Sequence, residues 1–188
     1  MNLKEMAEQC AMLLDMDGQL SGEISAFTAE QQALYNRLVA GINTSYLTVA
    51  RDLWRPIQPE DVTTDSQGRV AVASLQKQFL SLFRAEKDGR KTIAKEYKDY
   101  IHIFGLPGTA IKLYYYYLPE ALAAETDIPI LPESAVDPMA YVYFAVSLYY
   151  TVEKRHSEAA AWDLRYRNIV DHISEGRGAP SIKGRRWC

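Results

Sequence analysis

Cysteine is almost missing from this chain: Cys10 and Cys188 are the only two in 188 residues, one near each end. That spacing builds neither a disulfide framework nor a thiolate metal site. Histidine is nearly as sparse. His102, His156 and His172 are scattered, and none sits at i, i+4 with a partner carboxylate, the arrangement a helical zinc site requires. Long apolar runs are missing too, since the longest uncharged stretch, Pro138 to Val152, falls short of the about 20 helical residues that cross a bilayer. No Gly-x-Ser-x-Gly elbow and no phosphate-binding loop occurs. The Gly105 to Gly108 cluster contains a proline and reads as a turn. The segment DMDGQ at 15–19 opens like a calcium loop but lacks its later ligands. These absences predict a protein that is not an enzyme, with no catalytic residue, metal or cofactor.

What is present is a folded composition. Hydrophobic residues make up 48 %, charged residues 24 % and aromatics 11 %, enough for one domain with a sizeable core. The formal charge of −3 does not point to nucleic acid as the main partner. Its distribution is uneven, however. Six acids stand against Lys4 alone in residues 1–30, whereas Arg177, Lys183, Arg185 and Arg186 follow Glu175 with no acid. The opening MNLKEMAEQC carries acids where a secretion signal carries cations and an apolar run, so the expectation is an unsecreted protein made in the cytoplasm, with no membrane partner.

Leu3, Met6, Ala7, Cys10, Leu13 and Leu14 recur at helical spacing and predict a helix over 3–14 that stops near Gly18. Thr28 with Gln31 forms a capping box for a long second helix that runs to Trp54 and ends before Pro56. From Gln58 the period changes. Asp88-Gly89 separates two extended arms, and Gly105-Leu106-Pro107-Gly108 separates two more, predicting an antiparallel meander of about four strands. Asp137-Pro138 then opens a helix, MAYVYFAVSLYYTV, apolar on every face and expected to be buried on all sides. A last helix aligns Trp162, Tyr166, Ile169, Val170 and Ile173 before Gly176.

Tyrosine is the feature above background: ten of thirteen lie between Tyr97 and Tyr150. A tyrosine combines apolar area with a polar tip, which suits interfaces. On a strand, Tyr114 and Tyr116 point one way and Tyr115 and Tyr117 the other. Two readings follow: a sheet packed on helices on one side with tyrosine tips wet on the other, or a strand and a 139–152 helix buried between neighbouring subunits, for which Tyr114, Tyr116, Tyr141, Phe144, Leu148 and Tyr149 are the candidate contacts. After them Pro119, Pro129 and Pro132 hold residues 119–132 extended as a strap, with acids keeping it soluble. The tail RGAPSIKGRRWC sets Ile182 and Trp187 among cations, as an arm that orders on a partner would.

The opening LKEMAEQCAMLLD with its long second helix, YYYYLPEALAAETDIPILPES running into DPMAYVYFAVSLYY, and the closing AWDLRYRNIV together resemble the head-to-tail connector (adaptor) proteins of tailed bacteriophages. The inserted strands are similar to those of the tail-tube gatekeepers of short-tailed phages. The resemblance implies an α+β fold. An adaptor-like helical bundle (residues 1–56 and 133–176) would carry an antiparallel β-meander (57–118), the strap (119–132) and a basic C-terminal arm (177–188). It implies a virion protein of the neck, assembled in the host cytoplasm, that forms a ring, usually twelve-fold, between the portal protein and the stopper or tail protein. DNA would pass through without sequence-specific contact. Arg177, Ile182, Lys183, Arg185, Arg186 and Trp187 would dock on the portal. Two alternatives stand beside it: a stopper or tail terminator, and a small nucleic-acid-binding protein acting through the basic tail, whose binding would weaken steeply with salt.

Overall fold

The computed structural model describes residues 1–176. They form a mixed α+β fold with four α-helices and two antiparallel sheets. The chain divides into two compact units, one made of Met1–Val49 and the chain from Ala121 onward, the other of Ala50–Glu120.

The first unit is helical. Helix α1 (Leu3–Leu13) starts at a capping box in which Asn2 and Glu5 bond each other's backbone amides. It ends before the expected Gly18, because Asp15 turns into the left-handed region at φ 59°. Helix α2 (Ala29–Thr48) begins at the Thr28–Gln31 capping box read from the sequence. Its expected run to Trp54 changes winding after Thr48. Val49–Trp54 is a π-helix, closed by Arg55 N donating to Ala50 O at 2.9 Å. Arg55 itself sits at φ 47° rather than in the extended region usual before proline.

Helix α3 (Met139–Val152) packs against α1, α2 and α4 (His156–Gly176). Asp137 Oδ1 accepts from Met139 N at 2.9 Å, and Pro138 takes helical torsions at the start, as the sequence predicts. With three neighbours, most of its faces are covered: Ala140, Tyr141, Val142, Ala145, Val146 and Tyr150 are buried. The expectation of burial on all sides fails at the end, where Leu148 is 37 % and Val152 60 % exposed. Helices α2 and α3 approach so closely at Gly41 that a Cβ there would lie 3.0 Å from Ala145 Cα.

The strap joins this unit by hydrogen bonds. Leu3 and Lys4, whose amides have no partner within α1, donate to Asp127 O at 2.8 Å and Glu125 O at 3.1 Å. Asn43 exchanges two bonds with the backbone of Leu122, at 2.8 and 2.9 Å. Leu122, Pro129, Leu131 and Val136 are buried beneath.

The second unit contains seven strands: β1 (Ile57–Thr63), β2 (Arg69–Ala71), β3 (Gln78–Lys87), β4 (Arg90–Thr92), β5 (Ala94–Glu96), β6 (Tyr100–Ile103) and β7 (Ala110–Leu118). Only the Asp88-Gly89 hairpin matches the simple meander. Both residues take positive φ, 50° and 75°, and β3 pairs with β4 across them. The arms flanking Gly105–Gly108 do not pair with each other. β6 belongs to the sheet β2-β6-β5, while β7 lies between β1 and β3 in the sheet β1-β7-β3-β4. The turn instead bonds to the segment after β1, with Thr64 Oγ1 donating to Leu106 O at 2.6 Å and Gly108 N to Asp65 O at 2.9 Å. The meander is corrected to two sheets sharing a core of Val70, Ala85, Ile101, Ile103, Ile111, Leu113 and Tyr115.

Candidate interaction surfaces

In β7 the tyrosines split by parity. Tyr115 is fully buried and Tyr117 packs against the core, whereas Tyr114 and Tyr116 stand half-buried on the opposite face. Two bulges in β3, at Leu80 and Phe83, interrupt its pairing with β7. The second re-aims Phe83, 44 % exposed, so that its ring meets Tyr116 edge-on at 5.5 Å. The Arg84 guanidinium lies 4.2 Å over Tyr114, with Nε 3.2 Å from Glu86. With exposed Ile57 and Pro59 on β1, this face mixes apolar, aromatic and charged groups.

Four more candidate contacts lie in the helical unit. Tyr141 is 1 % exposed, its ring edge-on to Tyr46 at 5.8 Å, so it belongs to the unit's own core. Phe144 rests against Tyr166 at 5.1 Å. Tyr149 lies 4.1 Å under the Arg37 guanidinium, which also reaches Glu153 at 2.8 Å. Leu148 is exposed beside a groove of about 370 Å³ between α3 and α4, whose wall includes Ala159 and Ala160. Exposed Val152 and Leu164, each at 60 %, add apolar area to these helices. The arm residues Arg177, Ile182, Lys183, Arg185, Arg186 and Trp187 lie outside the described residues.

The sequence reading missed the outer face of β2-β6-β5. Tyr97 and Tyr100 stack at 4.8 Å and 16°, and His102 and Phe104 at 4.4 Å and 21°. Arg69 covers Tyr100 at 4.7 Å and Lys95 covers Tyr97 at 5.3 Å. The signal was available: Ile93, Lys95 and Tyr97, and Tyr100, His102 and Phe104, each follow a period of two.

Reactive chemistry is sparse around these faces. Cys10 is buried on α1, donates weakly to Val142 O at 3.8 Å, and has its thiol pKa pushed up by burial, so it stays protonated at neutral pH. Among the described residues, no three His, Cys, Asp or Glu side chains converge to hold a metal ion. No helix among them is long and apolar enough to cross a membrane. In comparisons with known proteins, no family model matches the chain and no curated protein is similar to it.

Proposed function

We propose that this chain is a structural subunit of a tailed-bacteriophage neck, assembling into a ring adaptor between the portal and the stopper or tail and leaving a passage for DNA. The observation that carries the reading is the insertion of a complete β unit, residues 50–120, between helices of one bundle, with the returning strap fastened to α1 and α2. That order of pieces is the one the resemblance implies. Exposed apolar side chains in both units, including Ile93 at 75 %, Ile128 at 61 % and Leu164 at 60 %, supply area that subunit contacts would bury. In this arrangement the helices form the adaptor bundle and residues 177–188 are the portal-docking arm.

The test is the mass of the purified protein by light scattering, alone and mixed with a portal ring from the same virus. A complex of fixed stoichiometry, lost on removing residues 177–188, supports the adaptor and its arm. Indifference to the portal with capture by a tail tube assigns the chain to the stoppers or terminators instead. Binding to DNA that weakens steeply with salt and vanishes with the tail assigns it to nucleic acid.

A further inference from the structure

The sheet β2-β6-β5 buries one face and leaves the other open, and the open face is ordered in cross-strand rows. Registers place Arg69 and Lys95 on either side of His102, and Ala71 opposite Tyr100. Tyr97 stacks on Tyr100 to form an aromatic row. Phe104 N donates to Ile93 O at 3.0 Å, which sets Ile93 beside Phe104 as an apolar row. Thus a row of cationic or ionisable groups lies between two rows of apolar and aromatic ones. The only acid in the three strands, Glu96, turns inward, where it accepts from Leu82 N at 2.8 Å. Asp65, at the edge, uses its Oδ1 on the amides of Gln67 and Arg69, both at 2.8 Å.

The paired rings decide what kind of partner suits this face. Tyr97 and Tyr100 spend ring faces on each other, as do His102 and Phe104. Fewer faces are left for a nucleobase, whose binding depends on them. A protein surface with carboxylates around an apolar floor fits the rows better.

The helical unit carries such a surface. Residues 1–49 and 121–188 hold ten lysines and arginines against fifteen acids, a formal charge of −5, with four of those cations in residues 177–188, while residues 50–120 hold eleven against nine, or +2. Between the second half of α1 and the turns that follow it lies a depression of about 270 Å³ lined by Glu8, Met12 and Asp17, with Leu20 buried at its floor. Met12 is 45 % exposed, and Asp17 has no ion-pair partner among the described residues. Among the described residues Glu8 is held only by Lys4 at 3.9 Å, and that lysine also donates to Gly22 O at 2.6 Å.

We infer that the open face of β2-β6-β5 in one copy docks on the acidic depression at the C-terminal end of α1 in the next copy. Ile93 and Phe104 meet Met12, while Arg69 and Lys95 meet Glu8 and Asp17. The inference rests on the ring reading above and names the contact that would build the ring. Because two different patches meet, the contact is head-to-tail and closes into a ring when its rotation divides a full turn.

Two charge reversals test it in the full chain: Arg69→Glu with Lys95→Glu, and Glu8→Lys with Asp17→Lys. Assembly is read by sedimentation velocity at low salt. Wild type assembles and comes apart as salt rises; each double variant alone stays monomeric. An equimolar mixture of the two regains the wild-type assembly, because reversed face meets reversed depression and native face meets native depression. Variants that still assemble alone overturn the contact and leave the ring reading standing. A mixture that stops at dimers means open faces pair with each other, which also overturns it. Tight binding of a single-stranded oligonucleotide, lost in Arg69→Glu with Lys95→Glu, would give the face to nucleic acid. A wild-type chain that stays monomeric at every concentration overturns the contact, while the ring reading stands or falls on the mixture with the portal.

Discussion

The hydroxyl of Tyr115 on β7 donates to a carboxylate oxygen of Glu60 on β1 at 2.6 Å, in the buried interior of the β unit. Gln76 N donates to the same oxygen at 3.1 Å, and Lys77 N donates to the Tyr115 hydroxyl at 3.2 Å. Removing the hydroxyl leaves a buried carboxylate short of a donor, and a bond to a charged group contributes about 1.5–3 kcal/mol. Tyr115→Phe therefore loses stability of that order in urea denaturation.

Tyr141→Phe should do the opposite. The Tyr141 hydroxyl is buried with no hydrogen-bond partner among the described residues, so its deletion removes a desolvated group and no bond. Stability holds or rises by up to about 1 kcal/mol. A loss as large as that of Tyr115→Phe would mean that the hydroxyl is satisfied in solution.

Burial and the Glu60 carboxylate push the Tyr115 pKa from its ordinary 10.0 up to about 12. A proton held more tightly in the folded chain stabilises it fully below the unfolded value and less as pH climbs through the folded one. The stability gap between wild type and Tyr115→Phe is thus constant below pH 10 and narrows towards pH 12. Denaturation curves across that range check it; a gap that stays constant contradicts the assignment.

At Gly41 a Cβ would lie 3.0 Å from both Cα and Cβ of Ala145 on α3. Gly41→Leu forces the helices apart and is expected to cost about 1–3 kcal/mol, the range for overpacked cores, despite leucine's better helix propensity. Thermal unfolding would show it as a lowered Tm.

Gly68 has φ +75°, and a Cβ there would sit 2.7 Å from Ile103 O. Gly68→Ala combines a left-handed backbone with a clash against a strand and should cost at least about 2 kcal/mol. Gly89, also at φ +75°, has nothing within 4 Å of its would-be Cβ. Gly89→Asn should therefore cost about 1 kcal/mol or less, since asparagine tolerates this region. Equal losses at the two sites would show that strain, not the Ile103 carbonyl, sets the cost.

Asn43 fastens the strap through its two bonds to Leu122. Asn43→Ala should raise amide hydrogen exchange in residues 121–131 far more than in α3, with a global loss of about 1–2 kcal/mol. Uniform deprotection of the helical unit would instead make Asn43 a core residue.

The chain's local signals determined its helices and its tight turn. A capping box such as Thr28 with Gln31, a proline after Asp137, and positive φ at Asp88-Gly89 depend on neighbours a few residues away, so they can be read without knowing the fold. Parity along β7 was legible for the same reason. Strand partners were not. β7 abandons β6 for β1 and β3, a choice made by which faces can be buried together across dozens of residues. Bulges in β3 bring Phe79, Leu82 and Ala85 to the inner side at a spacing of three, which hides its strand period from any count by twos. The same limit governed the surfaces. Sequence singled out tyrosines as a class, but only tertiary packing put Tyr141 in a core, left Tyr114 and Tyr116 half-buried, and aligned Arg69, Lys95 and His102 in one row. Residue type fixes what a side chain can do; which neighbours cover it is a property of the folded whole.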